Sequence, residues 1–220
     1  MDRVPLSHGG LFVNKIYSNI YLHMLLGIDL AGSEKRNTGV CLMGKTLSVR
    51  TFVLNTNEQI IDFAKKQKPK IISIDAPLCL PKGRHCLKEH CRGKNHFREC
   101  DLELRRLGIK FFPITLGPMR MLTERGIYLK NIFQKLGFEV IESYPGAAQD
   151  ILKMPRKSQG EEKLRKALVK YGIKNLKKDA IHDELDAVCS ALVGKFYLEN
   201  QYTAIGNKKE GLMILPRIKF

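Results

Sequence analysis

Residues 24–33 read MLLGIDLAGS, an apolar run broken by one carboxylate, Asp29. Apolar side chains at consecutive positions belong to a strand buried on both faces. A carboxylate in such a strand is costly unless something cationic compensates it. Downstream come TGVCLM (38–43), a turn at Gly44-Lys45 and TLSVRTFVL (46–54), which complete a three-strand meander. Residues 57–67 carry Ile60, Ile61, Phe63 and Ala64 at helical spacing behind an Asn suited to capping, and IISID (71–75) is a short buried strand that again ends in an acid, Asp75.

Beyond a long polar stretch the pattern resumes. Helices are expected over 119–136, 160–171 and 183–199, with a strand over 138–143 that carries Glu142 near its end. Helices alternating with buried strands imply an α/β fold with a mixed central sheet. Three strands thus deliver Asp29, Asp75 and Glu142 near their carboxyl ends, the edge at which open α/β sheets bind ligands. In HDELDAVCSALVG, Asp183 shares a helix face with Ala187 and Ala191, and Asp186 lies one turn before Ser190. Such a stripe of small residues lets a helix approach a sheet closely, which would carry Asp183 and Asp186 to the acidic edge. Hard oxygen ligands favour Mg²⁺ or Mn²⁺, and two such ions activate water and stabilise the leaving oxygen of a phosphate ester. Taken singly, each acid has a plainer reading. Asp183 and Asp186 suit a helix start, Asp29 or Asp75 a turn after its strand, and Glu142 a solvated strand end.

The acids come with a basic surround. The 220 residues hold 38 Lys and Arg against 22 Asp and Glu, a formal charge of +16 that points to a polyanionic partner, DNA or RNA. With 44% hydrophobic and 27% charged residues the chain is an ordinary globular one, neither disordered nor fibrous. No apolar run approaches bilayer length and no signal pattern opens the chain, so a cytoplasmic protein with no membrane partner is expected. Residues 1–23 show no clean period. They are read as an N-terminal extension, disordered or not native, ahead of a single domain over 24–220 with Met24 as an alternative start. The oligomeric state is left open.

An insertion at about 79–112 contains Cys86, Cys91, His96 and Cys100, separated by four, four and three residues. Four such ligands are enough to close a tetrahedral Zn²⁺ site; alternatively they are scattered thiols on a basic loop, with Cys100 packed in the core. In either case Arg84, Lys88, Arg92, Lys94, Arg98, Arg105 and Arg106 make the insertion a phosphate-contacting surface.

The order β-β-β-α-β-α-β-α, with an acid on the first strand, an acid after the fourth and D-x-x-D-A opening the last helix, resembles the RNase H-like superfamily. The Asp183-x-x-Asp186-Ala187 element is similar to that of RuvC-like Holliday-junction resolvases. GIDLAGS, SIDAPL, FRECDLELRRLGIKFFP, MRMLTERG, EVIESYPGAAQDIL, PRK and HDELDA together resemble the domain of unknown function 429 family, described as predicted nucleases of RNase H fold. The resemblance spans nearly all of residues 25–216. It implies a metal-dependent nuclease with Asp29, Asp75, Glu142, Asp183 and Asp186 as catalytic acids, of which Asp29, Asp75 and Asp186 hold the Mg²⁺ or Mn²⁺. RuvC-like enzymes have a Glu after the fourth strand where this chain has the shorter Asp75, so Glu142 is an alternative ligand. Two other readings compete: a non-catalytic basic nucleic-acid-binding module, and an ATPase or kinase of the actin and Hsp70 type, whose first phosphate loop GIDLAGS also resembles.

Overall fold

The computed structural model describes residues 24–88 and 95–218, so the expected extension at 1–23 lies outside the described residues. A seven-stranded sheet runs through it, built from β1 (Leu25–Asp29), β2 (Thr38–Met43), β3 (Val49–Leu54), β4 (Ile71–Asp75), β5 (Val140–Ser143), β6 (Tyr202–Asn207) and β7 (Gly211–Pro216) in the order β3-β2-β1-β4-β5-β7-β6. The meander β1-β2-β3 is antiparallel, while β1, β4, β5 and β7 run parallel. β6 and β7 form an antiparallel hairpin at the far edge. Strand order 3-2-1-4-5 with the second strand reversed is the RNase H-like arrangement, here extended by that hairpin.

The helices are α1 (Asn57–Gln67), α2 (Glu99–Arg106), α3 (Gly117–Lys135), α4 (Pro145–Ile151), α5 (Glu161–Tyr171) and α6 (His182–Leu198). Alternation along the strands sorts the core into two layers. Leu25, Cys41 and Ile71 join Leu164, Leu168, Leu185 and Val188 beneath α5 and α6. Leu26, Ile28, Ile72 and Ile74 join Ile60, Ala64, Leu129 and Phe133 beneath α1 and α3. Because both faces are covered, β1 and β4 read as near-continuous apolar runs.

The meander and α1 fall where the sequence puts them, and the other expected helices fall within about two residues. The cap of α1 differs: Thr56, not Asn57, closes the helix, in a capping box with Gln59. Helices α2 and α4 and the β6–β7 hairpin are additions to the sequence reading. The hairpin and α2 share a third cluster with Cys100, Leu104, Ile205, Met213 and Leu215.

Candidate active site

Asp29 and Asp75 each end a strand, and the parallel pairing of β1 with β4 makes them register partners. Ile28 and Ile74 before them point into the α1–α3 layer, so both aspartates face α6. Both are half-buried. Ser143, register partner of Asp75 on β5, ends its strand at the same edge. Its Oγ is buried without a hydrogen-bond partner among the described residues.

Helix α6 lies almost on the backbone of β1 and β2, and two glycines make that approach possible. A Cβ on Gly27 would stand 2.2 Å from the Ala187 carbonyl oxygen and 2.8 Å from the Ala191 Cβ. One on Gly39 would stand 1.9 Å from the Asp183 carbonyl oxygen. The contacts also fix direction. The Asp183 turn lies over Gly39, the register partner of Asp29, while Ala191 lies back along β1 at Gly27. The first turn of α6 therefore comes to the edge where Asp29 and Asp75 end.

Asp186 is buried and accepts a hydrogen bond from Gln149 Nε2 at 2.7 Å. One turn on, burial pushes the Cys189 thiol up, and the carboxylates of Asp186, Asp29 and Asp75 push it the same way, against a weaker opposing effect of Gln149. Three carboxylates thus lie within electrostatic reach of one buried thiol. Asp183 sits nearer solvent, its Oδ1 2.7 Å from His182 Nε2. As the side chains stand, no three His, Cys, Asp or Glu among the described residues are grouped to hold one ion. The chemistry of the donors still fits a hard cation. The acids supply oxygen only, and the buried Ser143 hydroxyl at the end of the neighbouring strand adds another oxygen to the same edge.

Glu142 is a register partner of Ile74, which puts it on the other face of the sheet from Asp29 and Asp75. There its Oε2 accepts from Leu78 N at 2.8 Å and from Arg98 at 2.7 Å. The same guanidinium forks onto Asp101 through Nε at 3.1 Å and a terminal nitrogen at 2.8 Å. Arg98 is 1% exposed, so it is no part of the phosphate-contacting surface expected of the insertion. It is the buried centre of a three-residue ion cluster that fastens the chain after Asp75 to β5 and α2.

Helix α3 fixes the loops after both aspartates. Arg125 Nε donates to Asn57 Oδ1 at 2.7 Å, and its terminal nitrogens donate to the carbonyls of Ala31 at 2.8 Å, Ser33 at 3.1 Å and Asn55 at 2.5 Å. Gly126 beside it admits Ala76 and Pro77, each 2.9 Å from where a Cβ would stand.

Of the expected zinc ligands, Cys86 is half-buried, His96 Nδ1 lies 2.9 Å from Thr115 Oγ1, and Cys91 lies outside the described residues. Cys100 is packed in the apolar cluster under the β6–β7 hairpin. Burial pushes its thiol up despite the opposing Arg98.

Beside Asp75 and Asp186 opens a cleft of about 840 Å³ whose wall includes Phe97, Phe111, Phe112 and Tyr144 together with Arg105, Lys110 and Arg156. The Tyr144 hydroxyl donates to the Lys110 carbonyl at 2.6 Å, tying the loop after α2 to the end of β5. Arg156 forks onto Asp150 at 2.8 and 2.5 Å and lies 5.8 Å from the Tyr144 ring. Sequence reasoning missed Gln149, Arg125, Tyr144 and Arg156. The first two had a faint signal, as polar residues inside otherwise apolar helix faces.

A family model described as "Protein of unknown function (DUF429)" matches residues 27–210. No curated protein matches the chain. Among solved structures it is similar to T. thermophilus RuvC in complex with Holliday junction substrate, at 12% identity and a TM-score of 0.49, over 81% of this chain and 96% of that one. It is also similar to the Thermus thermophilus RuvC structure, at 12% identity and a TM-score of 0.45, over 80% of this chain and 96% of that one. No helix among the described residues is long and apolar enough to cross a membrane.

Proposed function

The chain belongs to the DUF429 family, and from that premise we propose that it is a divalent-metal-dependent nuclease that hydrolyses phosphodiester bonds in DNA or RNA. The observation that carries this reading is the pairing of Asp29 with Asp75 at the ends of adjacent parallel strands, on the face covered by α6. Two carboxylates at neighbouring strand ends, with Asp186 on the helix above, make an edge of hard oxygen donors suited to a divalent cation. In this reading Asp29, Asp75 and Asp186 hold Mg²⁺ or Mn²⁺, and Asp183 stands at the rim. Glu142 is left out, because it is already the counter-charge of Arg98.

A bound ion would supply Lewis-acid polarisation of the phosphate and a water acidic enough to attack it. The chain's own groups orient the substrate. Gln149 holds the Asp186 carboxylate in one direction, which leaves the acid preorganised. Arg105 and Lys110 in the adjoining cleft offer positive charge to the phosphates that flank the scissile bond. The surplus charge of +16 draws the polyanion to the site.

The test is incubation of the purified chain with Mn²⁺ and a panel of single-stranded, duplex and branched DNA and RNA, beside Asp29→Asn and Asp186→Asn. Cleavage by the parent and by neither variant is expected. Binding without cleavage across the panel would favour the non-catalytic module.

A further inference from the structure

The cleft beside the acids has a wall that phosphate chemistry alone does not call for. Phe112 is 68% exposed in it, an apolar ring turned largely to solvent. Phe97 and Phe111 meet edge to face at 5.9 Å, and the Arg105 guanidinium lies 4.4 Å over the Phe97 ring. Arg105 and Lys110 add cations to the same wall, Arg156 joins it with its guanidinium paired to Asp150, and Asp75 and Asp186 line the same space. Aromatic faces interleaved with cations, beside the acidic edge, match one chemistry: a base that stacks while its backbone runs past positive charge.

We propose that this cleft receives an unstacked base of single-stranded or locally unpaired nucleic acid, with Phe112 as the stacking face, so that the enzyme selects strands whose bases are exposed. The inference rests on the nuclease reading for its biological sense, but the binding it describes does not require cleavage. In a duplex the base faces are covered by their neighbours, and a side chain stacks on them only at the cost of unstacking a base step or extruding a nucleotide. A single strand offers every face at no such cost. The volume, about 840 Å³, is within the range of small-molecule clefts and ample for a nucleotide.

The experiment measures binding in chelator, where nothing is cut. Short single-stranded DNA and RNA oligomers carrying one fluorescent aminopurine are compared with a duplex of the same sequence, for the parent chain and Phe112→Ala. Single strands should bind more tightly than duplex, with the aminopurine emission quenched by stacking. Phe112→Ala should lose the quench and weaken single-strand binding by roughly tenfold or more, with an unchanged melting temperature because the ring is exposed. Duplex bound as tightly as single strands, or Phe112→Ala binding and quenching like the parent, would overturn the inference. The two readings fail separately. Quenched single-strand binding without cleavage in Mn²⁺ supports the cleft and counts against the nuclease. Cleavage of duplex indifferent to Phe112 does the reverse.

Discussion

Gly39 lies directly beneath the carbonyl of Asp183, so close that a Cβ on the glycine would stand 1.9 Å from that oxygen. The contact sets the height of α6 above the sheet, and with it the distance from Asp186 to Asp29 and Asp75. Gly39→Ala is expected to lift the first turn of α6 and to destabilise the fold by about 1 to 3 kcal/mol, as overpacking does. Urea denaturation reads the loss. A midpoint equal to that of the parent would mean that the helix adjusts freely.

Arg125 predicts a second effect at a distance from the acids. Its guanidinium satisfies three carbonyls and one side-chain amide that belong to the loop after Asp29 and the start of α1. Lysine has the charge but not the planar fork. Arg125→Lys should cost at least about 2 kcal/mol and raise hydrogen exchange in residues 31–37. Unchanged exchange in that loop would show that it holds itself.

The Arg98 cluster gives the opposite signature to a metal site. Arg98→Met leaves Glu142 and Asp101 buried without their cation and is expected to cost about 3 to 5 kcal/mol. Adding Glu142→Gln to Arg98→Met should recover part of that loss, because one buried charge is removed with its partner. A double variant less stable than the single would contradict the assignment of Glu142 as a counter-ion.

Thiol reactivity tests the zinc expectation. Burial pushes the thiols of Cys41 and Cys100 well above the ordinary range, so a thiol reagent at neutral pH should leave both unmodified in the folded chain and reach them only on unfolding. Peptide mapping after alkylation identifies the sites. Cys100 that becomes reactive in the folded chain once a zinc chelator is added would reveal a ligand rather than a core residue.

What was legible in the sequence follows from how strongly each pattern is forced. Asp29 and Asp75 stand out because each ends an apolar run, and the stripe of Ala187, Ala191 and Ser190 shows because a close-packed helix tolerates little else. The face taken by Glu142 was not legible. Side chains alternate along a strand, and one residue of register against β4 decides which side an acid occupies. The spacing of Cys86, Cys91, His96 and Cys100 drew attention from the helix over 99–106, whose buried Cys100, Asp101 and Leu104 read equally well as core. Gln149 and Arg125 acquire their roles only through partners far away in the chain.

The central claim, that Asp29, Asp75 and Asp186 together hold a divalent ion, is tested most directly by thermal melts in chelator and in Mn²⁺. The parent chain is compared with Asp29→Asn, Asp75→Asn, Asp186→Asn and the control Glu142→Gln. An ion bound only by the folded state adds about 2.7 kcal/mol at 100 times its Kd, which for a chain of this size is about 5 to 10 °C. The parent should show that gain and each Asn variant should lose it, while Asp29→Asn melts no earlier than the parent in chelator because one of two adjacent like charges is gone. Glu142→Gln should melt earlier in chelator yet retain the gain. A Mn²⁺ gain that survives in Asp29→Asn and Asp186→Asn, with both melting earlier than the parent in chelator, would contradict the account and make the acids structural.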